Sequence, residues 1–149
     1  MTLLERLILE NQILQRDGLS QFQIYKSNDG SSYFLWGTHR TNSANAYEIR
    51  SPIPRGYPSS RPPVYVWKPN PLRGYSYNMT INDYGVSHDM HTLSNGPNGE
   101  VQICHWRDER WHSGITLNKV MIKVMLWLEA YEQHLSSGDP ITNFVRTMY

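Results

Sequence analysis

Leu3, Leu4, Leu7, Ile8 and Leu14 recur at the three- and four-residue spacing that puts side chains on one face of an α-helix. Thr2 can cap such a helix, Glu5 three residues on can close a capping box, and Gly18 offers a C-terminal stop. The chain is therefore predicted to open with an amphipathic helix over residues 2–16. The period then changes. Four short runs rich in aromatic and β-branched residues, 22–25, 33–38, 47–49 and 64–67, are separated by Ser27-Asn28-Asp29-Gly30, by residues 41–45 and by a Pro-rich corner over residues 52–63. Such runs between turn-forming clusters predict four strands in sequence, paired as an antiparallel meander.

Between residues 68 and 103 the pattern dissolves into Gly, Pro, Asn, Tyr and His. A compact domain seldom tolerates so long an irregular stretch unless the loop itself works, so function is expected there. Leu117, Val120, Met121, Val124, Leu128 and Leu135 then share one face of a helix expected from residue 116 to about 135, with residues 136–140 ending it. Its apolar face is expected to cover the sheet. Phe144, Val145 and Met148 predict a short closing helix within residues 141–149. With neither an internal repeat nor a linker, the whole chain reads as one α+β domain.

Composition narrows the partners. A chain of 149 residues, 39% hydrophobic and 18% charged, suits one core. A net charge of +1, with Lys and Arg scattered, argues against nucleic acid as a direct partner. The apolar stretches fall short of the roughly 20 residues that span a bilayer. The first residues lack the basic start and small-residue cleavage site of a secretory signal. No membrane partner is expected. A single cysteine, Cys104, leaves no internal disulfide, which suits the reducing cytoplasm.

A thiolate attacks activated carbonyls readily, and the thioester it forms stays reactive toward amines. An ordinary cysteine has a pKa of about 8.5, so its surroundings decide how much thiolate is present. Those nearest in sequence to Cys104 are His105, Trp106 and Arg107, with His88 and His91 further off. The commonest fate of a lone intracellular cysteine is different: a small buried hydrophobe. His105, Trp106, Trp111 and His112 read as packing residues, with Trp111 a pillar of the wall beside Cys104. One cysteine with histidines at 88, 91, 105 and 112 makes no zinc spacing, and neither a metal nor a cofactor is expected.

The order of these pieces resembles the ubiquitin-conjugating enzyme family over nearly the whole chain. The family's Tyr-Pro pair, followed by Pro-Pro and a strand, is matched by Tyr57-Pro58 through Pro62-Pro63-Val64, with one extra residue between the pairs. Its Ile-Cys pair, aromatic and Thr-Leu helix start are matched by Ile103-Cys104, Trp111 and Thr116-Leu117. The resemblance implies a ubiquitin-conjugating-like fold: an N-terminal helix, a four-stranded antiparallel meander, a long active-site loop and a covering C-terminal helix. It also implies that Cys104 accepts an activated C-terminal carboxyl as a thioester and passes it to an amine. The implied partners are an activating enzyme and either a ubiquitin-like modifier or the C-terminus of a cGAS-like nucleotidyltransferase. The aromatic segment after Cys104 and the stretch Trp127-Leu128-Glu129-Ala130-Tyr131 look closer to bacterial relatives found in antiphage defence operons such as CBASS.

Eukaryotic members of the family carry His-Pro-Asn upstream of the cysteine, where the Asn helps to stabilise the oxyanion. Here His91-Thr92-Leu93-Ser94-Asn95 stands in its place, followed by Gly96-Pro97-Asn98-Gly99. A donor about 3 Å from the oxyanion is needed, which makes His91, then Asn95 and Asn98, the candidates. Plain turn chemistry is the favoured reading of the two Asn-Gly pairs, while for His91 structural and functional roles stand level. The family often sets an acidic or Ser residue after the covering helix to take the proton of the incoming amine; Ser136, Ser137 and Asp139 stand there, and Asp139 before Pro140 also suits a plain turn. Two other readings remain: a catalytically silent binding module of the same fold, and a small cysteine hydrolase pairing Cys104 with His91 or His105.

Overall fold

The computed structural model describes residues 1–145. Helix α1 (Leu3–Arg16) begins at Thr2, whose hydroxyl accepts from the Glu5 N–H while the Glu5 carboxylate accepts from the Thr2 N–H. Gly18 follows its last turn at φ 74°, the left-handed geometry that residues with a Cβ disfavour.

Strands β1 (Phe22–Lys26), β2 (Tyr33–Arg40), β3 (Ala46–Ile53), β4 (Val64–Lys68), β5 (Thr92–Leu93) and β6 (Val101–Ile103) form one antiparallel sheet. Its order is β1-β2-β3-β4-β6-β5. The four stretches read as strands from the sequence are joined by two more that lie inside the segment read as irregular. At two and three residues, β5 and β6 are too short to carry an alternation of their own. Phe22, Leu35, Ile49 and Val66 turn inward and are fully buried. On the opposite face the Arg50 guanidinium lies 4.6 Å from the Phe34 ring, 5.5 Å from Trp36 and 4.8 Å from Trp67.

Helix α2 (Leu117–Ser137) buries Leu117, Val120, Met121, Val124, Trp127 and Leu128 in one core with the inward strand residues. It runs two residues beyond the expected end and stops at Gly138, φ 80°. Its N-terminus is capped from elsewhere in the chain. Thr116 holds the cap position, but its hydroxyl bonds the Asn118 side chain. The fully buried Glu10 of α1 accepts the Leu117 N–H at 2.6 Å through one carboxylate oxygen and Arg6 at 2.9 Å through the other. A carboxylate there satisfies an otherwise orphaned donor and complements the positive end of the helix dipole. Arg6 reaches on to the Ile115 carbonyl at 3.3 Å, which completes the α1–α2 junction.

A short helix α3 (Thr142–Val145) ends the described chain; Met148, expected in the same helix, lies outside the described residues. Among the described residues no helix is long and apolar enough to cross a membrane.

Candidate active site

Strand β6 ends at the buried Ile103, and Cys104 follows half-buried where the chain leaves the sheet. The Cys104 N–H donates to the His91 carbonyl at 2.8 Å. His91 makes that carbonyl available from a left-handed backbone, φ 49°, which a non-glycine residue adopts only when its surroundings hold it there. Those surroundings are visible. The Trp127 indole N–H of α2 donates to the Met90 carbonyl at 3.0 Å, the Thr142 N–H donates to the Asp89 carbonyl at 2.8 Å, and His91 Nε2 lies 3.0 Å from the Thr142 hydroxyl. Sheet, α2 and α3 thus clamp the loop before β5 from three sides.

Between this loop and the segment after Cys104 lies a cavity of about 540 Å³. Val86, Ser87, His88 and His91 form one wall; Cys104, Trp106 and Arg107 form the other. Arg110, Lys123 of α2 and Thr142 complete it.

The wall carrying Cys104 is braced from behind by the Pro-rich corner. His105, fully buried, has Nε2 2.7 Å from the Pro62 carbonyl; because a carbonyl only accepts, Nε2 carries the proton. The Trp111 indole N–H donates to the Pro58 carbonyl at 2.9 Å, and Arg61 donates to the Trp106 carbonyl at 2.7 Å. Arg61 also pairs with Asp108 at 2.9 Å. Residues 52–63 therefore position the chain just after Cys104, although the nearest of them is about forty residues away in sequence.

Burial pushes the Cys104 thiol up, while Arg61, Arg107 and Lys123 pull it back and Asp108 adds a smaller upward push. The balance keeps a protonated thiol at neutral pH. Lys123 holds its ammonium 3.5 Å from the centre of the Trp106 ring; burial lowers its proton affinity and the neighbouring Cys104 opposes that fall. His91 is pushed down to about 4, first by burial and then by His88 and Arg107, so its imidazole is neutral at pH 7. His105 is also pushed down to about 4, with burial the dominant cause. Chemically, the arrangement offers a recessed thiol whose negative form, or an oxyanion formed beside it, would meet cations in a partly dry cavity.

Of the residues expected from the sequence, Cys104 and His91 come together at this cavity. Asn95 and Asn98 do not line it; both are exposed in the connection between β5 and β6. There the Asn98 N–H donates to the Glu100 carboxylate at 2.8 Å and its carbonyl accepts from the Asn70 amide at 3.0 Å. Asp139 is exposed after α2, its carbonyl 2.8 Å from His134 Nδ1 and its N–H donating to the Ser137 hydroxyl at 3.1 Å. Neither Asp139 nor Ser136 nor Ser137 lines the cavity.

Sequence reasoning missed Lys123 and Arg61. Lys and Arg are scattered along the chain, and only the packing of α2 on the sheet brings Lys123 to Cys104. Nothing local marks either residue. Among the described residues, no group of three or more His, Cys, Asp or Glu side chains is placed to hold a metal ion. No protein-family model matches the chain, and no curated protein matches it. The fold and the site together define an α+β domain with a recessed thiol on a cationic cavity.

Proposed function

We propose that the chain is a ubiquitin-conjugating-like acyltransferase that carries an activated C-terminal acyl group as a thioester on Cys104 and transfers it to an amine. The supporting observation is the position of Cys104: half-buried on a cavity wall beside Lys123 and Arg107, rather than packed inside the core. The family motifs coincide with the parts that build this wall, since Pro58 and Pro62 of the corner hold Trp111 and His105 by hydrogen bonds.

In the first step the sulfur attacks the activated carbonyl carbon, a C–S bond forms, and the bond to the donor's leaving group breaks with its electron pair. The thiol proton passes to solvent. In the second step an amine attacks the thioester carbonyl, a C–N bond forms, the nitrogen gives a proton to solvent, and the C–S bond breaks to regenerate the thiolate under the field of Lys123 and Arg107. A thiol with a raised pKa is quiet at rest yet strongly nucleophilic once deprotonated, which suits a carrier loaded only when its donor docks. His91 is the one expected auxiliary residue that shares the cavity with Cys104, and we assign it the oxyanion-side role as a neutral imidazole.

The partners in this reading are an activating enzyme in the cytoplasm and a ubiquitin-like modifier or the C-terminus of a cGAS-like nucleotidyltransferase, with antiphage defence as the setting. Incubation with ATP, activating enzyme and modifier should give a hydroxylamine-labile adduct that is lost in Cys104→Ala and trapped as a stable amide in Cys104→Lys. Absence of any adduct with the correct partners contradicts the proposal. The raised thiol pKa also fits a second reading, a catalytically silent module of the same fold. In that case the native thiol resists alkylation until the protein unfolds.

A further inference from the structure

We infer that the acyl donor brings an anionic group, a carboxylate or a phosphate, into the cavity beside Cys104, where Arg107 and Arg110 hold it. This rests on the carrier reading and names the chemistry of its substrate. Among the described residues, none that lines the cavity is Asp or Glu, whereas Arg107 and Arg110 each bring a full positive charge to it. Two carboxylates stand between these arginines in sequence: Asp108 is taken by Arg61 at 2.9 Å, and Glu109 lies outside the cavity lining. The guanidinium groups of Arg107 and Arg110 make no hydrogen bond or ion pair among the described residues. Like charges gathered around one recess repel each other, and an entering anion relieves that repulsion while gaining paired N–H donors.

The size of the recess limits what enters. About 540 Å³ falls in the range of small-ligand sites, enough for the last residues of an extended tail or for a phosphate-bearing leaving group, and far too small for a folded domain. The anion must therefore lie close to the reacting carbonyl. Two sources share this chemistry: an acidic side chain in the tail that bears the acyl carbonyl, or the phosphate of an acyl-adenylate donor. In either case the Cys104 sulfur bonds to the carbonyl carbon and the thiol proton goes to solvent. The bond that breaks leads to the thioester sulfur in the first case and to the phosphate oxygen in the second, each leaving with its electron pair.

The test uses the full chain and three synthetic donors: N-acetylcysteamine thioesters of a glycine-ended peptide with Glu or with Gln beside the glycine, and the adenylate of the Gln peptide. Loading of Cys104 is followed by intact mass in the wild type, in Arg107→Gln/Arg110→Gln and in the charge-preserving Arg107→Lys/Arg110→Lys. If the tail supplies the anion, the Glu peptide loads about tenfold faster than the Gln peptide, and the Gln double variant erases the difference while the Lys variant keeps most of it. If the leaving group supplies it, the two thioesters load alike and the double Gln variant slows the adenylate alone by about tenfold. Loading of all three donors that is indifferent to both double variants overturns the inference and leaves the carrier reading standing. Failure of every donor to load the wild type overturns both.

Discussion

Two junctions in this molecule bury charged or titratable groups, and they treat them in opposite ways. At the α1–α2 junction, Glu10 is fully enclosed and each carboxylate oxygen has a partner, Arg6 and the Leu117 N–H. Around Cys104, the thiol is half-buried and above its ordinary pKa, while Arg107 and Arg110 face the cavity with no ion pair among the described residues. A buried charge with its partners in place fixes geometry, whereas Arg107 and Arg110 are exposed, solvated and able to exchange water for an anion. The first junction therefore holds the fold, and the second leaves a thiol and two cations on an open cavity.

The comparison breaks most visibly at Glu10. Glu10→Ala leaves Arg6 and the first N–H of α2 without their partner and should lower stability by about 3–5 kcal/mol, read by chemical denaturation. Cys104 alkylation in the remaining folded fraction should be unchanged. His105→Ala comes next, with a loss of about 2–4 kcal/mol from the cavity and the abandoned Pro62 carbonyl. Here pH sharpens the reading. Because His105 falls from 6.5 to about 4 on folding, the unfolded chain binds its proton first as pH drops. The stability that His105 contributes is complete above about 6.5 and is lost as pH falls toward 4. His91 follows the same sign, so His105→Ala should flatten the acid slope of a denaturation series without abolishing it.

On the cavity side the effects move from stability to reactivity. Lys123→Met removes a cation that favours the thiolate, so the pH midpoint of Cys104 alkylation should move upward and the rate at pH 8 should fall about threefold, with stability changed by less than about 1 kcal/mol. The smallest effects belong to Asn98→Ala and Asp139→Ala. Both residues lie outside the cavity, and acyl loading of Cys104 should stay within about twofold of wild type in each. A large drop in either would restore them as participants.

The parts of the fold legible in the sequence are those whose signal is local. Thr2, Glu5 and Gly18 mark α1 because capping acts over three or four residues, and the apolar stripe of α2 repeats over five turns. The strands at 92–93 and 101–103 were not legible, since their pairing partners rather than their own residues make them strands. The side chain that caps α2 was not legible for a related reason: Thr116 holds the cap position, but Glu10, over a hundred positions upstream, makes the bond. At the site, Cys104 stood out as the single thiol and His91 as a donor-bearing residue upstream of it. Lys123 and Arg61 act on the sulfur only through tertiary packing, so neither carried a mark. Asn95 and Asn98 drew attention through spacing, and spacing along a turn does not say which way the turn faces.

The most direct test of the carrier account is the intact mass of the native protein after incubation with an excess of a glycine-ended peptide thioester. The account predicts a single acyl addition at Cys104, released by hydroxylamine and missing from Cys104→Ala. A wild-type protein that keeps its unmodified mass, with a thiol that reacts only after denaturant is added, would contradict it.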